Sequence, residues 1–437
     1  MRPAKDNVRH KAASEEDGGQ VSGTADRASV REKAALRRAV ASLILTQMIG
    51  WGSIFHVPAV LYAHISAGTG ISQEYVFGGL TLMLLIAAVL AAPVGRALER
   101  DGSRRWMAIG SVTTATGLCA LATAQGPFLF LVAWILFGAA MPIALTQAAS
   151  TAIVQIASAR ARQAIAILLL VTGFSSTLNW PTLLGLSDAL TWRGAILAYA
   201  AANIAICLPL HLWSLPGQEA VLKDVVRPLP ASDSAAASRI QVPGAYWLAA
   251  ITFALGGMLT WGLPLHMVGI LTGFGHTETA AVAIGGLFGP GQVLARGFEM
   301  AGGKRVDILT IGIVAAVLML IGLGTLLAIG ELRSGAIAFS IAYGLSAGLI
   351  SIVRAIAPLR LFGAAAYARV LGRLNVPQNI AFAATPFGFA VIRESWGARA
   401  LVEVSLGLAL LCLVSTALLS RRVRAAERLT PPLSEAR

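Results

Sequence analysis

The side chains best suited to chemistry lie inside apolar stretches. Arg354 stands in the run 333–358, where an ionised group is costly and normally faces a cavity or a partner. No acid lies within four residues of it on its own helix, so an anionic substrate group is the expected partner of its planar guanidinium. Snorkelling toward the nearer membrane surface is the competing role. His56 and His266 occupy matching places in two repeated stretches. A neutral imidazole is buried cheaply yet titrates near physiological pH, which suits a proton carrier or a ligand hydrogen bond, with packing as the competing role. Gln147 and Asn179 offer amides that orient a ligand without moving a proton. Trp51 and Trp261, each followed by glycine, offer walls for a site or packing between repeats. The acids mostly fall at the ends of apolar runs, so a carboxylate relay is not expected. Coupled protons would travel on histidine or on the substrate itself.

A repeated frame positions these residues. Met48-Ile49-Gly50-Trp51-Gly52 with His56 returns as Met258-Leu259-Thr260-Trp261-Gly262 with His266, 210 residues on. Gly95 to Arg105 is echoed by Ala295 to Arg305 at an offset of 200, and Pro181 and Trp192 by Pro386 and Trp396. The order is the same each time, so the chain reads as two homologous halves, a mark of secondary transporters. Hydrophobic residues make up 56% of the chain and charged ones 13%. Twelve apolar runs, from 39–65 to 397–419, are long enough to span a bilayer as helices, which satisfy their own backbone in lipid. The ninth and tenth are parted only by Glu331-Leu332-Arg333-Ser334. The fold class expected is an all-α membrane protein of twelve helices in two six-helix halves. Residues 1–38 read as a disordered cytoplasmic tail and 39–213 as the first bundle. A proline-bearing cytoplasmic linker follows at 214–243, then the second bundle at 244–419 and a basic cytoplasmic tail at 420–437.

The net charge of +13 does not point to nucleic acid, because its distribution alternates. With the N-terminus inside, 29 of the 34 Lys and Arg residues fall on inner segments and four on outer loops. That asymmetry is the positive-inside rule, and it places both termini in the cytoplasm. The charged start of the chain has no apolar core, so no cleaved signal peptide is expected. Cys119, Cys207 and Cys412 sit singly in separate runs, without metal or disulfide spacing. No phosphate-binding loop and no acid, base or metal constellation for catalysis is present, so neither an enzyme nor a cofactor is expected. A non-transporting sensor would be expected to carry a folded soluble extension, which the short tails disfavour.

The loop at Gly95, Glu99, Gly102, Arg104 and Arg105 resembles the signature between helices two and three of the major facilitator superfamily, Gly-x-Leu-x-Asp-Arg-x-Gly-Arg-Arg. Glu99 replaces the aspartate, Ala97 the leucine and Ser103 one basic residue. The echo at Ala295 to Arg305, with Arg296 and Glu299, lies where that family carries a degenerate copy. The resemblance covers residues 39–419. It implies alternating access between two halves, a central path lined by helices one, four, seven and ten, and a role for both loops as a latch of the outward-open state. On those helices lie His56, Trp51, Gln147, His266, Trp261 and Arg354, with Asn179 on helix five at the rim. Gly285-x-x-x-Gly289-Pro290 resembles part of an antiporter signature, but it falls on helix eight instead of five, so packing or kinking is its expected role. The Trp-Gly motif and the helix-ten arginine loosely resemble the monocarboxylate and oxalate–formate carrier branch. The expectation is a monomeric permease of a bacterial inner membrane, carrying a small solute, first of all an organic monoanion, with protons as coupling ion. Efflux of a hydrophobic or toxic compound is the alternative.

Overall fold

The structure is a computed structural model that describes residues 34–156, 160–215, 244–302 and 306–429. Of the expected tails and linker, residues 1–33, 216–243 and 430–437 lie outside the described residues. The described residues form helices and no strand. The rods are α1 (34–69), α2 (Gln73–Asp101), α3 (Ser103–Thr123), α4 (Pro127–Ile156), α5 (161–190) and α6 (192–214) in the first half. The second half holds α7 (Ala245–Gly273), α8 (278–302), α9 (Ile308–Ile329), α10 (333–362), α11 (364–396) and α12 (398–429). Eight helices among the described residues are long and apolar enough to cross a bilayer. Two of those eight contain bends that divide them: Leu178–Ser214 turns at Thr191, and Arg333–Arg428 at Gly363 and Gly397.

The joints follow from backbone chemistry. Gly102 (φ 79°, ψ 161°), Gly363 (76°, 170°) and Gly397 (87°, 172°) share one conformation that is essentially glycine's own. It reverses the chain in a single residue between α2 and α3, α10 and α11, and α11 and α12. The glycine of the 95–105 signature thus has a local reason: no Cβ fits that turn. Asp307 caps α9, its side chain accepting from the Leu309 N–H at 3.2 Å. α5 and α8 bend at Gly173–Phe174 and Gly286–Leu287. In α8 the cause is Pro290, which lacks the N–H that the Gly286 carbonyl would accept. Gly291 then packs on Gly344 of α10, where a Cβ would lie 3.1 Å from its Cα, so this glycine stretch kinks and packs.

Both repeated tryptophan motifs open into a π-turn, at Gly52–His56 in α1 and Met258–Gly262 in α7. Pro58 and Pro264 leave the carbonyls of Ile54 and Thr260 without their helical donors, and the ladder widens there. Such widened turns re-aim side chains and recur at functional sites.

The buried apolar residues form three clusters. One, running from Leu36 through Ile153 and Leu169 to Phe253, Tyr367, Leu374 and Val423, joins both halves at one end of the bundle. At the other end the core is divided. One cluster belongs to the first half and takes only Phe382 and Ala383 from the second, while the third lies wholly in the second half.

Candidate functional site

The halves lock together at the end where their core is shared, and the two echoed loops lie in that lock. α2 and α11 touch backbone to backbone: a Cβ on Gly95 would lie 2.5 Å from the Ala368 carbonyl oxygen, and one on Gly372 2.4 Å from that of Ala91. Gln147 of α4 donates to the Ala91 carbonyl at 3.0 Å and accepts from Asn375 of α11 at 2.8 Å. Glu99 pairs with Arg369 at 2.8 Å. Across the bundle Glu299, whose side chain is 2% exposed, pairs with Arg162 at 3.0 Å. Arg162 also donates to the Val306 carbonyl at 2.9 Å. The two echoed acids therefore each meet an arginine of the opposite half.

Arg296 fills the gap between α8 and α5. It donates from Nη1 to the Leu169 carbonyl at 3.0 Å, from Nε to Ser351 Oγ at 3.3 Å and from Nη2 to Gln292 Oε1 at 3.2 Å. A Cβ on Gly173 would lie 2.1 Å from that Nη1, so the bend in α5 admits the guanidinium. Beside Gly102, Ser103 donates from its backbone N–H and hydroxyl to Gln155 Oε1 at 3.1 and 2.7 Å. These bonds pin the start of α3. Arg100 forks onto Asp101 at 2.6 and 3.0 Å and holds its carboxyl below the usual carboxylate value. Arg104 and Arg105 are exposed.

Above this lock, the two tryptophans meet at the middle of the bundle. Trp51 of α1 stacks on Trp261 of α7, with ring centroids 5.5 Å apart and planes 16° apart. Phe55 leans on both, at 4.8 Å from Trp51 and 5.9 Å from Trp261, and Phe382 of α11 lies 5.9 Å from Trp261. The guanidinium of Arg354 sits over Phe382 at 5.1 Å. Its Nε is buried without a hydrogen-bond partner, and no acid pairs with it among the described residues. Glycines allow the close packing around these rings: a Cβ on Gly257 would lie 2.0 Å from Phe382, one on Gly262 1.9 Å from Thr385 Cγ2, and one on Gly52 2.1 Å from Asn179 Oδ1.

The remaining expected residues take their places around this cluster. Asn179 donates to the carbonyls of Met48 at 3.1 Å and Ser175 at 2.8 Å, and accepts from the Tyr199 hydroxyl at 2.5 Å. Its amide thus ties α1, α5 and α6 together. His266 is buried, with Nε2 donating to the Pro386 carbonyl at 3.1 Å, whereas His56 is half-buried and its Nδ1 has no partner. The matched histidines therefore have unlike surroundings. Sequence reasoning missed Arg162, Arg369, Phe55, Phe382 and Tyr199. The one signal available was the spacing of Arg162 and Arg369, 207 residues apart and close to the offset of the other echoes.

The comparisons with known proteins agree with this architecture. In solved structures the chain is similar to the human organic anion transporter MFSD10 (TETRAN), at 18% identity and a TM-score of 0.63, over 87% of this chain and 99% of that one. It is similar to the proton:xylose symporter XylE bound to 6-bromo-6-deoxy-D-glucose, at 13% identity and a TM-score of 0.66, over 88% and 95% of the two chains. The E. coli fucose:proton symporter FucP follows at 12% and 0.61, over 87% and 97%. At such identities the likeness establishes the fold alone. No curated protein sequence matches the chain. Residues 40–351, most of the chain, match the family model of the Major Facilitator Superfamily. The chain belongs to that superfamily, and is an integral membrane protein and secondary transporter.

Proposed function

We propose that the protein is a monomeric twelve-span permease that moves an organic monoanion across a bacterial inner membrane by alternating access. Both termini and the 214–243 linker face the cytoplasm in this proposal, on the warrant of the basic asymmetry. The observation that carries the cargo is Arg354, an arginine without an acid, resting on Phe382 beside the contact between the halves. A half-buried cation with no counter-ion among the described residues is an incomplete pair, and an anionic ligand completes it. The fold likeness to an organic anion transporter is consistent with that cargo, and the likeness to two proton symporters with coupling through His56 or His266. The loops at Gly95–Arg105 and Arg296–Glu299 act as the latch of the conformer closed at the basic end. Trp261, 41% exposed on a surface of four rings, favours the alternative of hydrophobic-compound efflux.

Uptake and efflux in proteoliposomes, against carboxylates and amphiphilic drugs with and without a proton gradient, separate the two. Arg354→Ala is expected to abolish specific carboxylate binding, and Arg354→Lys to retain part of it, since lysine keeps the charge and loses the planar fork. Unaltered affinity in both variants, measured by scintillation proximity in detergent, would overturn the assignment and return Arg354 to a snorkelling role.

A further inference from the structure

We infer that the anion held by Arg354 carries a flat, aryl-sized apolar body, which lies against the Trp51–Trp261 stack. This rests on the anion-binding function proposed above and adds the shape of the cargo.

Three observations converge on it. The first is charge: Arg354, beside the ring cluster, has no ion-pair partner among the described residues, and one guanidinium balances one negative charge. The second is the wall. From the guanidinium the surface runs over Phe382 to Trp261 and on to Trp51 and Phe55, with neighbouring centroids 4.8–5.9 Å apart. Ring faces at this spacing accept another ring in offset or tilted contact, and Trp261 still exposes 41% of its surface.

The third is the shortage of free polar groups. The amides of Asn179 and Gln147 are engaged by Met48, Ser175, Tyr199, Ala91 and Asn375, and His266 Nε2 by Pro386. A polyhydroxylated cargo would need several such partners to replace its water. Gln378 and Asn379, four and three residues before Phe382 and so on its helix face, are both buried, and no side-chain hydrogen bond of either is seen among the described residues. Either amide is a neutral donor for a second carboxylate oxygen, and His56, next to Phe55 in the chain, keeps an unpartnered Nδ1. A site with one cation, few spare polar groups and a wall of rings selects for a single carboxylate on a flat apolar frame.

The test is competition against radiolabelled benzoate, bound to the full-length protein in detergent, by acetate, cyclohexanecarboxylate and neutral benzamide. Benzoate is expected to bind roughly tenfold tighter than acetate and several-fold tighter than the non-planar ring acid, with benzamide not competing. Trp261→Leu is expected to bring the benzoate-to-acetate ratio to within about threefold of one, whereas Arg354→Gln weakens both acids alike. Trp261→Phe, which keeps a ring, is expected to retain most of the preference and controls for misfolding. Equal affinities for benzoate, cyclohexanecarboxylate and acetate, all lost in Arg354→Gln, would overturn the flat-body inference and leave the anion site standing. Benzoate and benzamide competing equally, or no carboxylate binding at all, would overturn both.

Discussion

Thr191 holds a backbone conformation (φ 71°, ψ 163°) that glycine holds at the three other one-residue joints. A β-branched residue there is strained, at a cost on the order of 1–3 kcal/mol, and is held in place by its neighbours. Arg193 supplies that hold, donating to the carbonyls of Ala122, Gly68 and Ala124 at 2.9–3.1 Å, while Trp192 covers Gly68. Thr191→Gly relieves the strain and gives back part of the gain through a freer unfolded chain. The expected result is a stabilisation of about 1 kcal/mol, read as a higher melting temperature in detergent with transport unchanged. The histidines make a second residue-scale case. Gln in place of His56 or His266 keeps size and a hydrogen-bonding group, and at position 266 can still donate to Pro386, but it does not titrate. If either imidazole carries the coupling proton, its Gln variant loses gradient-driven accumulation and keeps substrate exchange. Accumulation with an unchanged pH profile in both variants excludes them as carriers.

Between elements, two related ion pairs hold the closed end, and their environments differ. Glu299–Arg162 is buried on the acid's side, whereas Glu99–Arg369 is 29% and 46% exposed and solvent-screened. Neutralising a buried partner costs more than neutralising an exposed one, because the other charge is left without compensation. Glu299→Gln is therefore expected to shift the equilibrium away from the closed end by about tenfold, and Glu99→Gln by about threefold or less. Spin labels at exposed positions 104 in α3 and 421 in α12, one in each half, report the opening as a longer distance population. Equal shifts would show that burial does not set the strength of the latch. The two acids of these ion pairs stood out in the sequence because an acid is conspicuous in a basic loop. Their partners did not, since one arginine among the many at the basic end carries no pairing information beyond the 207-residue spacing of Arg162 and Arg369. Phe382 was hidden for a related reason: it looks like any apolar residue of α11, and its place over Arg354 depends on the space left by Gly257 on α7. The rods themselves follow from the apolar runs. The bend at Gly286–Leu287 falls in the Gly285–Pro290 stretch expected to pack or kink; the one at Gly173–Phe174 did not follow, because glycine is frequent in membrane helices whether or not they bend.

At the scale of the whole molecule, one apolar core joins the halves at the basic end and separate cores serve them at the other. Two bundles joined at one end are related by rocking to a form joined at the other, and a ligand site between them is then exposed to one side at a time. The ion pairs, the α2–α11 backbone contact and Arg296 all stabilise the form closed at the basic end. Under the proposed orientation this is the outward-facing form, so the direction of access and the topology stand or fall together. Single cysteines at Gly70, Gly126 and Gly275, on the joints of the far end, and at Arg104 and Arg424 on the basic end, test both in a background lacking Cys119, Cys207 and Cys412. A membrane-impermeant maleimide added to intact cells is expected to label the first three and spare the last two, with the pattern reversing in inside-out vesicles. Labelling of 104 and 424 in intact cells would invert the orientation and make the same lock an outer gate. The basic loops would then lie on the outer side, against the charge asymmetry that placed them within.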